Sequence, residues 1–228
     1  MIEKESNLAQ LATGAAEDAV YLCNLHLGDA PEVTVHGALD ATFTYVPSHI
    51  HYCLTEILKN SVRATVEHHR AQGEVGDMPA VRIVIAEGNE DMAVKVSDEG
   101  GGIPRSELQK VWTYLHSTAA RPEALNPSEQ SAPTSALAGY GMGMPLSRLY
   151  AEYFGGSMDI KSMEGIGTDA YLHLNRLGHK CEALPQVVLG SPGNLTSERG
   201  LGGLDEVGRE LSAREQAKLF YNSGLAGN

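Results

Sequence analysis

In the stretch Glu56-Ile-Leu-Lys-Asn60-Ser-Val-Arg63-Ala64, a carboxylate, an amide and a guanidinium recur at i, i+4 and i+7. A helix turns by about 100° per residue, so the three share one face, while Leu54, Ile57, Leu58 and Val62 lie mainly on flanks that meet a core. An amide oxygen is a neutral, hard ligand suited to a magnesium ion that phosphates also hold. A carboxylate one turn away could accept a proton or orient a hydroxyl. Taken alone, the pattern also describes a solvated helix face with an i,i+4 polar pair.

Two glycine-rich stretches follow. In Val96-Ser-Asp98-Glu99-Gly100-Gly-Gly102-Ile103-Pro104 an acid ends a strand-like run and enters three consecutive glycines. Such an acid can accept a hydrogen bond from an adenine amino group while the backbone bends round the base, although a ligand-free hairpin exit reads the same way in isolation. In Gly139-Tyr140-Gly141-Met142-Gly143-Met144-Pro145 the glycines alternate, freeing backbone N–H groups to approach phosphate oxygens at the start of a helix. The spacing is neither that of a Walker loop nor that of a strand–turn–helix dinucleotide fold, because an Ala/Ser/Pro-rich segment precedes it.

The elements that must position these stretches follow from periodicity. Residues 6–29 predict a helix ended by Gly28. Short strands are expected at 32–36 and 41–45, then a long helix from Pro47-Ser48 to about Arg70, with Ser48 as the N-cap. Runs 81–86 and 92–97 alternate as a hairpin turned by Gly88-Asn89, and a short helix spans Arg105 to about Trp112. Residues 119–138 read as a mobile segment, Gly139–Gly143 opens a helix to about Phe154, and strands at 157–163 and 168–174 close the pattern. Beyond Arg176 the sequence dissolves into Gly, Pro and Ser, with one helical run near 212–221. Helices and strands interleave without a βαβ rhythm, which points to a layered α/β sandwich.

Composition narrows the function classes. With 17 basic against 29 acidic residues the net charge is −12, which disfavours nucleic acid and suits a basic partner surface. No apolar run approaches the ~18–20 residues of a membrane span. The opening residues lack the character of a secretory signal or a transit peptide. Cys23, Cys53 and Cys181 are odd in number and widely spaced, which predicts reduced thiols, with Cys23 and Cys53 as small apolar helix residues.

In this order and spacing the three stretches resemble the N, G1 and G2 boxes of the Bergerat-type ATPase superfamily shared by gyrase, Hsp90, histidine kinases and MutL. Tyr45-Val-Pro-Ser-His-Ile, Glu56 to Val66, His116-Ser-Thr-Ala-Ala-Arg-Pro122, Gly139 to Tyr150 and Ser162-Met-Glu-Gly-Ile-Gly-Thr-Asp169-Ala are similar to the mitochondrial pyruvate dehydrogenase kinases. They are slightly less similar to the branched-chain ketoacid dehydrogenase kinases. The likeness covers roughly residues 10–175, about the C-terminal half of such a kinase.

The resemblance implies an α/β fold, a two-layer sandwich whose mixed sheet is covered on one face by helices, and it implies ATP and Mg²⁺. Glu56 would be the general base toward a protein serine, and Asn60 the magnesium ligand. Glu56, Ile57, Leu58, Lys59, Asn60, Ser61, Val62 and Arg63 would line the nucleotide site. Asp98 would bond adenine, with Gly100 and Gly102 in the loop beside it. Ser117 and Thr118 would belong to a lid of about 114–140, Gly139, Tyr140, Gly141, Met142, Gly143 and Met144 would wrap the triphosphate, and Thr168 would reach back toward Asp98.

The implied organisation is a connecting helix at 1–30, an ATP-binding kinase domain at 31–176 and a tail at 177–228. The implied substrate is a serine of the E1 α subunit of a 2-oxo acid dehydrogenase complex in the mitochondrial matrix. An E2 lipoyl domain would bind through a helical domain not in this sequence, and the family forms homodimers.

Three departures accompany the likeness. Tyr52 stands where the family has a His one turn before the catalytic Glu, and the neighbouring His51 points about 140° away from Glu56 round the helix. The N-terminal helical domain and the Asp-Trp pair of the family's tail are absent, so a fragment, a truncated product and a divergent member all fit. A catalytically weak ATP-binding module and a histidine-kinase-type ATP domain stand as alternatives. The remaining conspicuous residues have plainer readings. His49, His51, His68 and His69 are expected to be solvated or core-edge rather than metal-binding, and Lys59 solvated. Arg148 should pair on its helix, Tyr150, Tyr153 and Phe154 should pack, and Trp112 should anchor the lid base.

Overall fold

The computed structural model describes residues 2–73, 76–116 and 141–176. Five of its strands form a mixed sheet in the order β2-β4-β5-β7-β6: Val33–Gly37 (β2), Val81–Glu87 (β4), Asp91–Asp98 (β5), Gly167–Asn175 (β7) and Ser157–Met163 (β6). β2 runs parallel to β4 and every other pair is antiparallel. Helices α1 (Leu8–Leu27), α2 (Pro47–Gln72) and α4 (Gly143–Tyr153) pack on one face, which is the two-layer sandwich the sequence predicts. β1 (Glu3–Asn7) pairs with β3 (Thr42–Tyr45) apart from this sheet.

The alternation of the strands decides which side chains see the helices. On β5, Met92, Val94 and Val96 are buried, and Asp98 continues that register to the same face. On β4, Val81, Ile83 and Ile85 point inward while Arg82 and Val84 point out. On β7, Ala170, Leu172 and Leu174 complete the inner face. Leu54, Leu58, Val62 and Val66 of α2 fill the space above them, joined by Ala12, Ala15, Ala19 and Cys23 of α1, whose small side chains let the two helices approach closely. Cys23 and Cys53 are both buried free thiols on helices, as read from the sequence.

The boundaries differ from the sequence reading in informative places. Glu3–Asn7 is a strand, so α1 starts at Leu8; Asn7 is its N-cap, its side chain accepting a hydrogen bond from the Gln10 N–H at 2.8 Å. Ser48 is not the cap of α2. Val46 holds that position and Pro47 opens the helix, where its missing N–H costs nothing. The helix expected over Arg105–Trp112 is broken into a single turn, α3 (Arg105–Leu108), and a 3₁₀ turn at Lys110–Trp112. Helix α4 begins at Gly143 with Met142 before it. Residues 119–138 and the tail beyond 176 lie outside the described residues.

Because Asn7 satisfies one of the otherwise unpaired N–H groups of α1, Asn7→Ala is expected to cost about 1 kcal/mol in urea unfolding, with the native fold retained by circular dichroism.

Candidate functional site

A cavity of about 500 Å³ opens between α2, the loop after β5 and the start of α4. That lies within the ~300–1,000 Å³ usual for small-molecule sites. Of the residues the sequence singled out, Glu56, Ile57, Asn60, Ser61 and Arg63 line it, together with Asp98, Gly100, Gly102 and Thr168 across the cleft and Gly141, Gly143 and Met144 at one end. Three stretches distant in the chain thus share one space.

Four of the expected site residues do not line it. Leu58 and Val62 are fully buried in the core, on the side of α2 that faces the sheet. Lys59 is buried outside the cavity lining, its ammonium 2.6 Å from Glu56, so the solvated reading is corrected as well. Met142 turns its side chain to solvent beside the cleft. Ser117, Thr118, Gly139 and Tyr140 lie outside the described residues.

At one end of the cleft, Glu56 is fixed from two directions. Its Oε1 takes the Lys59 ammonium, and its other oxygen faces Gly143, where a Cβ would collide with the carboxylate. Any side chain at 143 would displace the carboxylate from this position. Tyr52, one turn earlier, sets its ring edge-on against Tyr150 at 5.4 Å. Burial and the nearby Glu56 carboxylate push its phenol up to about 12, so it stays neutral at ordinary pH. His51 turns the other way, 3.4 Å from Asp18 of α1. The neighbouring aromatics pack, with His49 stacked on Tyr150 at 4.5 Å and Phe154 edge-on to Tyr45.

At the other end, Asp98 is 9% exposed. Its Oδ1 accepts the N–H of Gly100 at 3.0 Å and of Thr168 at 3.2 Å, and the Ser61 hydroxyl also bonds its carboxyl. Burial raises its pKa against the pull of these donors. Gly100 is required by contact: a Cβ there would sit 2.6 Å from that of Ala64 on α2. Ser162 ties the loop down, accepting the Ile103 N–H at 2.7 Å and sharing a bond with the Thr168 hydroxyl at 3.0 Å.

Also on the cavity wall, Arg63 presents a guanidinium whose buried Nε and Nη1 make no hydrogen bond, with the Glu67 carboxylate 3.8 Å from Nε. A cation on a cavity wall with unused N–H donors suits an anionic ligand such as a phosphate. Among the described residues no three His, Cys, Asp or Glu side chains gather to cage a metal. A divalent cation fits only as an ion held by Asn60 together with oxygens that the phosphates bring. Arg148 bonds Glu152 at 2.9 Å and lies 4.7 Å over the Trp112 ring, which agrees with helix pairing.

The sequence reading missed Ala64, Glu67 and His68, which continue the cavity face along α2 at i+4, i+7 and i+8 from Asn60. Helical periodicity alone could have found them. Ile160 and Ala170, which face each other across the β6–β7 hairpin, also line the cleft.

The family model for histidine kinase-, DNA gyrase B- and HSP90-like ATPases matches residues 45–177. Over 178 residues the chain is 49% identical to an Arabidopsis thaliana protein named [pyruvate dehydrogenase (acetyl-transferring)] kinase, mitochondrial, covering 77% of this chain and 48% of that one. A protein of the same name from Schizosaccharomyces pombe is 43% identical over 188 residues, covering 81% and 44%. The human isozyme 3 of the kinase is 42% identical over 191 residues, covering 81% and 45%. The chain spans about half the length of the curated relatives it matches.

Three measurements test this arrangement. Leu58→Ala should cost about 2–5 kcal/mol of stability through a core cavity, as urea unfolding would show. Asp98 has a folded-state pKa above its unfolded value of about 3.9, so the native state binds more protons in the window between them. Its contribution to stability therefore falls as pH rises through that window and is level above it. Asp98→Asn should unfold at higher urea than the parent at pH 7, with the difference closing below about pH 4. The same variant should bind ADP roughly 10- to 100-fold more weakly by calorimetry, having lost a charged hydrogen-bond acceptor.

Proposed function

The chain belongs to the histidine kinase-, DNA gyrase B- and HSP90-like ATPase family, and from that premise we propose that it is the ATP-binding half of a protein-serine kinase of the pyruvate dehydrogenase kinase type. The observation that carries this is the sharing of one cavity by Glu56, Asn60, Arg63 and Asp98. Ser61, which holds Asp98, and Ala64, which abuts Gly100, lie five and eight residues beyond Glu56, and eight residues of helix span about 12 Å. That separation suits an adenine at one end and a triphosphate at the other.

Bound MgATP supplies the γ-phosphoryl group as the electrophile. The residues position it and balance its charge, which is most of what phosphoryl transfer asks of a protein. Asp98 accepts from the adenine amino group, Arg63 offsets phosphate charge and Asn60 donates its amide oxygen to the cation. The N–H groups at the start of α4 face the phosphates. Glu56, held beside Gly143, takes the proton of an incoming serine hydroxyl. The relatives' names suggest the E1 α subunit of a 2-oxo acid dehydrogenase complex as the source of that serine, and a mitochondrial setting. Docking to a lipoyl domain, homodimer formation and the placement of residues 31–176 as the kinase domain belong to the same proposal.

One observation favours a second reading, a nucleotide-binding module with little transfer activity. The base is engaged by Lys59, and the side chain one turn before it is a phenol that does not titrate near neutrality. Incubation with purified E1 and labelled ATP separates the two. A kinase incorporates label, and Glu56→Gln lowers the rate by roughly 10²- to 10⁴-fold while ADP affinity stays within about twofold. Nucleotide binding without label in any arm would sink the kinase reading and leave the module.

A further inference from the structure

The sheet has a second, outer face, and the alternation that sends Asp98 inward sends its neighbours there. In the β5–β7 register Asp98 pairs with Thr168 and Ser97 with Asp169. Asp98 and Thr168 line the nucleotide cavity, while Ser97 and Asp169 border a smaller pocket on the outer side. Asp98 borders both, so one residue stands between them, its carboxylate on the inner side.

A second carboxylate therefore stands directly behind the first. Asp169 is one residue along the ladder from the Thr168 N–H that Asp98 accepts, and its negative charge acts on Asp98. Like charges at neighbouring positions of one ladder oppose each other, here as a smaller effect on Asp98 than its burial. The outer face answers with a cation: the Lys95 ammonium lies 2.8 Å from Asp169 Oδ2 and 5.7 Å from the centre of the Tyr171 ring. Tyr171 donates its hydroxyl to the same oxygen at 3.3 Å, and Ser97 bonds Asp169 as well. The nearby Arg82 is occupied by Glu99 at 2.9 Å, so Lys95 is the cation matched to Asp169.

We propose that Lys95 is a positioning residue for nucleotide binding: by neutralising Asp169 on the far side of the sheet, it preserves Asp98 as the acceptor for the adenine amino group. Lys95 touches no ligand and acts only through Asp169 and Asp98. The proposal deepens the nucleotide-site reading and rests on it. It predicts that the two carboxylates are energetically linked, so that deleting the cation is harmful only while the outer carboxylate is charged.

The test is calorimetric titration of the full chain with MgADP for the parent, Lys95→Met, Lys95→Arg, Asp169→Asn and the Lys95→Met/Asp169→Asn double variant. Lys95→Met should bind about three- to fivefold more weakly, the range open to a partly exposed ion pair. Lys95→Arg and the double variant should return to within about twofold of the parent, and Asp169→Asn alone should bind at least as well as the parent. Thermal unfolding run alongside identifies any variant that has lost its fold. Equal affinity for parent and Lys95→Met overturns the proposal, as does a double variant as weak as Lys95→Met, which would make Lys95 merely structural. A parent that binds no ADP overturns the nucleotide-site reading instead.

Discussion

A carboxylate on the cavity wall that lies almost entirely out of water, Asp98, is the constraint on which this cleft is built. Desolvation works against the ionised Asp98, and the cost is offset only by donors placed around it. Those donors come from three elements: the Gly100 N–H from its own loop, the Thr168 N–H from β7 and the Ser61 hydroxyl from α2. None is in place unless the β5–β7 register is correct and the loop lies hard against Ala64. The packing of helix on sheet and the placement of this carboxylate are thus one requirement, and the glycine at 100 is where they meet.

The opposite end works by a different principle. Glu56 is not dissolved in the core but clamped at its edge, with Lys59 on one oxygen and the first turn of α4 against the other. A side chain held in this way has lost its freedom before any ligand arrives, which is the value of preorganisation. Tyr52 and Tyr150 wall off this corner with aromatic surface that carries no charge in the neutral range on the Tyr52 side. The guanidinium of Arg63, with Nε and Nη1 free of hydrogen bonds, lines the same cleft. The cleft thus carries Glu56 and Arg63 from α2 and Asp98 from the end of β5 on one wall system.

The division of labour between the faces of the sheet follows from the two-residue period of a strand. Inward residues of β4, β5 and β7 build the core until, at the end of β5, the same register delivers a polar side chain to a cavity instead. Outward residues form polar pairs such as Lys95 with Asp169 and Arg82 with Glu99. A single slip of register would exchange the two sets and bury the salt bridges in place of the valines.

Much of this was legible in the residues themselves. The rotation of a helix is local, so the shared face of Glu56, Asn60 and Arg63 could be read from spacing alone, and so could the divergence of His51 from it. The order of the three chemistry-bearing stretches carried the fold and the family. What the residues did not determine was which neighbours of that face are ligand-facing and which are core. Leu58, Lys59 and Val62 belong to the same motif, yet Leu58 and Val62 meet the sheet and Lys59 folds back onto Glu56. That choice depends on what packs against α2 from β4, β5 and α4, segments up to a hundred residues away. The same holds for Asp169 behind Asp98, because strand pairing is a long-range fact with no local signature. Local geometry names the candidates; only the assembled layers select among them.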